Sequence, residues 1–147
     1  MMLKGVAEFL PPDLLWILAS MGHADRLLIC DRNFSADRVS QRTTTGKLVT
    51  LSGVDAPTAV SGILGLMPLD GFVDHPLIHM APSEDVETLL PVHRDVERVC
   101  REIEGRPLSS RPIERFAFYP HAESCYAVVQ TGERRPYANF IVQKGVI

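Results

Sequence analysis

The sequence predicts an α/β fold in a single domain covering residues 1–147, on three observations. A chain of 147 residues accommodates one ordinary domain and not two. Hydrophobic residues at 46% and charged residues at 22% are the proportions of a globular chain able to build a core. Helical and strand-like periodicities alternate along the chain, with no internal repeat or low-complexity segment.

The first element opens at Pro11-Pro12-Asp13, ahead of Leu14, Leu15, Ile17, Leu18 and Met21 at helical spacing. A helix is predicted over 12–21, with Gly22 placed to terminate it. Residues 26–30, RLLIC, form a short apolar run between polar flanks and predict a buried strand, with Asp31 at its C-terminal end. Asp55-Ala56-Pro57 supplies a cap and an early-turn proline for a helix carrying Ala59, Val60, Ile63, Leu64 and Leu66, ending before Pro68. Residues 76–80 read as a strand. Over 83–104 charged and apolar residues recur at helical spacing, with Val92, Val96, Val99 and Ile103 on one side and Gly105 as the stop. A shorter helix is predicted over 112–124, broken or kinked at Pro120. Residues 126–130 and 139–143 are β-like runs joined by a turn-rich link and are expected to be neighbouring strands.

Composition narrows the function classes. The net charge is −3 and the basic residues are scattered, so the phosphate-neutralising signature of a nucleic-acid partner is missing. Cys30, Cys100 and Cys125 are odd in number and widely spaced, which points away from a disulfide framework or zinc cluster and towards a reducing cytoplasm. No leader-like h-region opens the sequence and no apolar run is long enough for a bilayer span, so export and membrane insertion are not expected.

Three apparent motifs fail on chemistry. Thr44-Thr45-Gly46-Lys47 lacks the hydroxyl residue and the first glycine of a phosphate loop. His75 and His79 have the spacing of a helical metal pair, but the intervening Pro76-Leu77-Ile78 reads as strand, where positions four apart diverge, so no metal is expected. Cys125 with His121 has no activating context and reads as a small buried hydrophobe.

His23 lies just past the first predicted helix. There the helix carbonyls favour imidazolium, so it either exchanges a proton near neutral pH or merely caps those carbonyls. Asp31 is open in the same way, as a functional carboxylate or a turn residue.

Met2-Leu3-Lys4-Gly5, MGHAD at 21–25, Asp31, RFAFY at 115–119, TGE at 131–133, YAN at 137–139 and KGV at 144–146 occur in one order over nearly the whole chain. In this series the chain resembles the D-ribose pyranase and L-fucose mutarotase family (RbsD/FucU), and RFAFY resembles the fucose branch. The resemblance implies a compact domain with a central sheet flanked by helices, acting as a mutarotase on a free monosaccharide, with L-fucose first and ribose or a related sugar as alternative. It assigns the proton donor to His23 and the sugar contacts to Asp31, Arg115, Tyr137, Ala138 and Asn139. It further implies no cofactor and a homo-oligomer, commonly a decameric ring, with sites near subunit boundaries. Ala24-Asp25-Arg26 departs from the family's Gly-Asp-Glu, Ser35 replaces a common proline, and Pro120 within RFAFY has no functional account.

The residues suit that chemistry. Interconverting anomers through the open chain needs a proton at the ring oxygen and loss of one from the anomeric hydroxyl. A titratable histidine supplies one step, and a carboxylate, an arginine and an amide can fix hydroxyls. Tyr137 can hydrogen-bond or relay a proton, while Phe116 and Phe118 are expected in the core rather than on a sugar face. A non-catalytic monosaccharide-binding module would use nearly the same groups and stands as the competing reading.

Overall fold

The computed structural model describes residues 3–147, so Met2 of the opening motif lies outside the described residues. The elements are α1 (Pro12–Ser20), β1 (Arg26–Cys30), α2 (Ala36–Ser40), β2 (Leu48–Leu51), α3 (Ala56–Leu64), β3 (Leu77–Ala81), α4 (Pro91–Glu104), β4 (Arg111–Glu114), α5 (Arg115–Glu123), β5 (Ala127–Thr131) and β6 (Phe140–Gln143). The strands form one sheet in the order β2-β5-β1-β6-β3-β4, in which only β6 runs against the others. No helix among the described residues is long and apolar enough to cross a membrane.

Both faces of the sheet are covered, which explains why β1 is continuously apolar from Leu27 to Cys30. Leu27 and Ile29 pack with α1, α3 and α4 on one face, while Leu28 and Cys30 pack with α2 and α5 on the other. α3 begins as its sequence requires, with the Asp55 carboxylate accepting the Thr58 N–H at 2.9 Å. α1 ends differently from the expectation. Gly22 is not left-handed; Met21 turns extended, and Lys144 Nζ donates to the carbonyls of Leu18 (2.8 Å) and Met21.

The other differences have local causes. α4 begins at Pro91 rather than at residue 83, because a residue preceding proline is pushed out of helical geometry and Leu90 is extended. Its inward face is Val92, His93, Val96, Glu97 and Cys100, so Ile103 faces outward at 38% exposure; Gly105, left-handed at φ +66°, ends it as expected. Residues 111–114 form β4 and not a helix start. Glu114 then caps α5 by accepting the N–H groups of Phe116 and Ala117. Pro120 does not break α5, which runs on to Glu123; the carbonyl left without its partner belongs to exposed Phe116. β5 and β6 are not neighbours, because β1 lies between them, with Leu28 opposite Val128 on one side and Ile141 on the other.

One buried polar group carries a measurable cost. His79 on β3 bonds the Ser110 hydroxyl through Nδ1, while its Nε2 has no partner among the described residues. Burial foremost, and the cost of a second positive charge beside His93, push its pKa from 6.5 to about 3. A histidine with a depressed folded pKa takes up protons preferentially in the unfolded chain, so stability is full above about pH 6.5 and is lost as pH falls towards 3. Replacing His79→Leu removes that proton uptake at similar volume. The midpoint of acid unfolding, followed by far-UV circular dichroism, is expected to move to lower pH than in the wild type; an unmoved midpoint contradicts the assignment.

Ala24 occupies φ +71°, a conformation that costs an alanine roughly 1 kcal/mol relative to glycine. Its N–H bonds the Lys144 carbonyl at 2.9 Å, which fixes the turn. Ala24→Gly is therefore expected to raise the melting temperature by about 2–4 °C, measured by calorimetry, whereas a lower melting temperature would show that the turn is not strained.

Candidate functional site

Four of the five predicted sugar-contact residues line one cavity. Asp31, Asn33, Phe34, Met80, Arg115, Tyr119, Pro136, Tyr137 and Asn139 enclose about 240 Å³, below the ~300–1,000 Å³ of pockets for drug-sized ligands and on the scale of a smaller molecule. The placement follows from the topology. Asp31, Met80 and Arg115 lie at the carboxyl ends of the parallel strands β1, β3 and β4, and Asn139 immediately precedes the antiparallel β6.

Asp31 is buried and hydrogen-bonded on both oxygens, to the N–H groups of Asn33 (3.0 Å) and Ala138 (3.3 Å). Its own N–H donates to Asn139 Oδ1 at 2.9 Å. Burial raises the Asp31 pKa above the ordinary carboxylate value, against the pull of those N–H bonds. Ala138 thus belongs to the site through its backbone. Tyr119 stacks on Phe34 at 5.2 Å with Arg38 over its ring, so one cavity wall is a braced aromatic. Tyr137 is left-handed at φ +60°, a strained conformation in the turn that enters β6. Phe118 is core as expected, but Phe116 is not: it is 68% exposed beside Arg115, whose guanidinium lies 5.3 Å from its ring.

His23 is not at this cavity. It lies at the other end of β1 and β6, across the four residue steps from Asn139 to Gln143, or about 13 Å of extended chain. The carboxylate beside it is Asp70, not Asp31, with His23 Nε2 3.1 Å from Asp70 Oδ2. Asp70 is buried and also accepts from the Phe72 N–H (3.0 Å) and the Gln143 amide (2.8 Å); these bonds, that of Phe72 foremost, hold its carboxyl below the ordinary range despite burial. Gln143 is oriented in turn by Arg26, whose Nε donates to its Oε1 at 3.0 Å. An ionised Asp70 accepts the Nε2–H of the imidazole, which leaves Nδ1 as the ring nitrogen outside that bond. The ring is 45% exposed, with Phe72 edge-on at 5.5 Å and itself 76% exposed. The helix-capping reading of His23 therefore gives way to a histidine–carboxylate pair with Asp70, because Lys144 caps α1 instead.

Two other motifs build the site without lining the cavity. Thr131 Oγ1 donates to the Cys30 carbonyl at 2.8 Å, and a Cβ on Gly132 would stand 2.8 Å from the Gly53 nitrogen. Glu133 receives Arg135 at 2.9 Å; burial raises its carboxyl, but the bonds from Arg135 and the main chain outweigh it and hold the pKa low. In KGV, Lys144 holds the end of α1, and Gly145 passes so close to Leu69 that a Cβ would lie 2.7 Å from its carbonyl oxygen. Burial pushes the Cys125 thiol up to about 12, so it remains protonated and unreactive. Asp70, Gln143 and Met80 are not singled out by the sequence, and Tyr119 enters only as one of the RFAFY aromatics able to pack on a sugar face.

Residues 4–147 match the model of the RbsD / FucU transport protein family. The chain is 38% identical to the fucose mutarotase of Homo sapiens, covering 99% of this chain and 94% of that protein. It is 36% identical to the L-fucose mutarotase of Actinobacillus pleuropneumoniae, over 99% of this chain and 97% of the other. The crystal structure of the fucose mutarotase of Streptococcus pneumoniae in complex with L-fucose superimposes with a TM-score of 0.84 at 34% identity, covering 99% of both chains.

Proposed function

The chain belongs to the RbsD/FucU family, and on that premise we propose that it is an L-fucose mutarotase, an isomerase interconverting the anomers of the free sugar. The observation that carries the mechanism is the half-exposed His23, held at Nε2 by buried Asp70 and open at Nδ1. In its charged form it protonates the ring oxygen as the bond from that oxygen to the anomeric carbon breaks. A water or the Tyr137 hydroxyl takes the proton of the anomeric hydroxyl. The resulting aldehyde rotates about the adjacent carbon–carbon bond, and the reverse transfers close the ring. No electron or atom is consumed, so the balance calls for no cofactor.

Asp31 offers its remaining lone pairs to sugar hydroxyls, Arg115 donates from the rim, and the Tyr137-Ala138-Asn139 turn shapes the floor. Proton transfer needs about 3 Å between heavy atoms, whereas roughly 13 Å of strand separates His23 from this cavity in one chain. The sugar therefore meets both only if His23 of one copy reaches the cavity of the next. Such a contact joins two different patches, one around Phe72 and one around Phe116, and repeats head to tail until a ring closes. Its working compartment is the cytoplasm, where three buried free thiols stay reduced.

Exchange NMR at the anomeric resonances measures the reaction. Wild-type protein is expected to accelerate exchange of L-fucose over ribose, His23→Ala to lose about 10²–10⁴-fold in rate with binding retained, and Arg115→Ala to weaken binding roughly 10–100-fold. Binding without accelerated exchange of any deoxyhexose or pentose would favour the non-catalytic sugar-binding module.

The shared site has its own test. His23→Ala and Arg115→Ala proteins, the first slow in turnover and the second weak in binding, are expected after unfolding and refolding together to exceed the mean activity of the two alone at low L-fucose concentration, and dilution to monomers followed by light scattering should abolish activity. A fully active monomer would overturn the shared site and leave mutarotation standing.

A further inference from the structure

We infer that His93 is a positioning residue for the sugar cavity, acting through the main chain of Tyr137 from the opposite face of the sheet; the inference deepens the proposed function and rests on it for its kinetic consequence. Tyr137 is left-handed at φ +60° without being glycine, so the surrounding structure must hold it there. Its side chain packs against the α2–α5 face and lines the cavity, whereas its carbonyl accepts the Nε2–H of His93 at 2.9 Å. His93 is fully buried in the first turn of α4, a helix of the other face, and is not among the cavity-lining residues.

The geometry admits one form of this ring. His93 Nδ1 accepts the Leu90 N–H at 3.1 Å, so that nitrogen carries no proton and Nε2 carries the one given to Tyr137. Burial favours the neutral ring these bonds require. His79 lies against it with centroids 4.0 Å apart, and Phe140 meets it edge-on at 5.9 Å, which restricts rotation. The same helix grips the preceding turn through Asp95, which accepts Arg135 at 2.8 Å. Two residues of α4 thus fix both ends of the 135–137 segment. Just beyond it, the Ala138 N–H reaches Asp31 and Asn139 accepts from Asp31. Releasing the Tyr137 carbonyl would loosen the cavity floor without touching the His23–Asp70 pair.

Three readouts test this. His93→Phe keeps a ring but removes both bonds, whereas His93→Gln retains a donor for Tyr137 and an acceptor for Leu90. For L-fucose exchange, His93→Phe is expected to raise KM about tenfold, the scale of one buried hydrogen bond, with kcat changed less than about twofold, and His93→Gln to restore KM. In the sugar-free proteins, hydrogen exchange at the Ala138 amide is expected to speed up in His93→Phe and to be restored in His93→Gln. A folded His93→Phe protein with wild-type KM and wild-type Ala138 protection would overturn the inference. Should that variant fail to fold, ¹⁵N-histidine NMR of the wild type decides: an Nε2–H tautomer supports the assignment and an Nδ1–H tautomer refutes it. The amide and tautomer readouts need no sugar, so a failure of the mutarotase reading stays distinct from a failure of this one.

Discussion

The reciprocal bonding of the buried Asp31 carboxylate to the start of β6 is the constraint on which the site depends. A carboxylate removed from water is costly unless its oxygens find donors. Here the donors are the main-chain N–H groups of Asn33 and of Ala138, the latter 107 residues away, while Asn139 accepts the Asp31 N–H in return. These bonds fix where β6 begins relative to where β1 ends. Strands of five and four residues then carry that register through the middle of the sheet. Oxygen lone pairs not used by the backbone remain on the cavity side. The groups that satisfy the charge are therefore the same groups that shape the binding surface.

Because β6 is the one antiparallel strand, its two ends serve two different functions. Asn139 at its start belongs with the carboxyl ends of the parallel strands, where the cavity forms. Gln143 at its end lies among the opposite loops, where it orients Asp70 towards His23. A one-residue slip of β6 would exchange its inward faces and displace both ends together. This coupling explains why so many of the ordered motifs prove structural. Gly132 and Gly145 permit close backbone passage, Thr131 ties β5 to the end of β1, and Lys144 holds α1 against the turn that carries His23.

The parts of the fold legible in the sequence were those decided locally. RLLIC is a strand because both its faces are buried, and Asp55-Ala56-Pro57 starts α3 because cap and proline act within one turn. The short strands β2 and β4 gave no such signal. Leu48–Leu51 is four residues at a sheet edge and Arg111–Glu114 contains a proline, so only partner strands distant in sequence make them strands. The same distinction separates the site residues. Asp31, Arg115, Tyr137 and Asn139 were legible through motifs and do come together, whereas Asp70 sits in a Leu-Asp-Gly turn with no local pattern and meets His23 only through a 47-residue separation. That His23 and Asp31 lie at opposite ends of β1 followed from the strand predicted between them, but that the other sugar-contact residues gather at the Asp31 end did not, because it depends on the order and direction of strands distant in sequence.

The separation gives the exposure of His23 a physical meaning. A general acid serving a cavity in its own chain is best enclosed, where water cannot compete for the proton and the electrostatics are strong. His23 instead projects from a corner, nearly half exposed, with the flanking Phe72 still more open to solvent. Its partner Asp70 shows the opposite design, being buried and triply bonded so that its charge and orientation are set before any ligand arrives. A rigid buried base behind an exposed imidazole is the arrangement expected of a group that completes a site on another molecule. In the proposed ring, docking would bury both aromatic patches and exclude water from His23 at the moment it meets the sugar. The assembly would then create the low-dielectric site that the isolated chain lacks, making oligomerisation part of the catalytic apparatus rather than an addition to it.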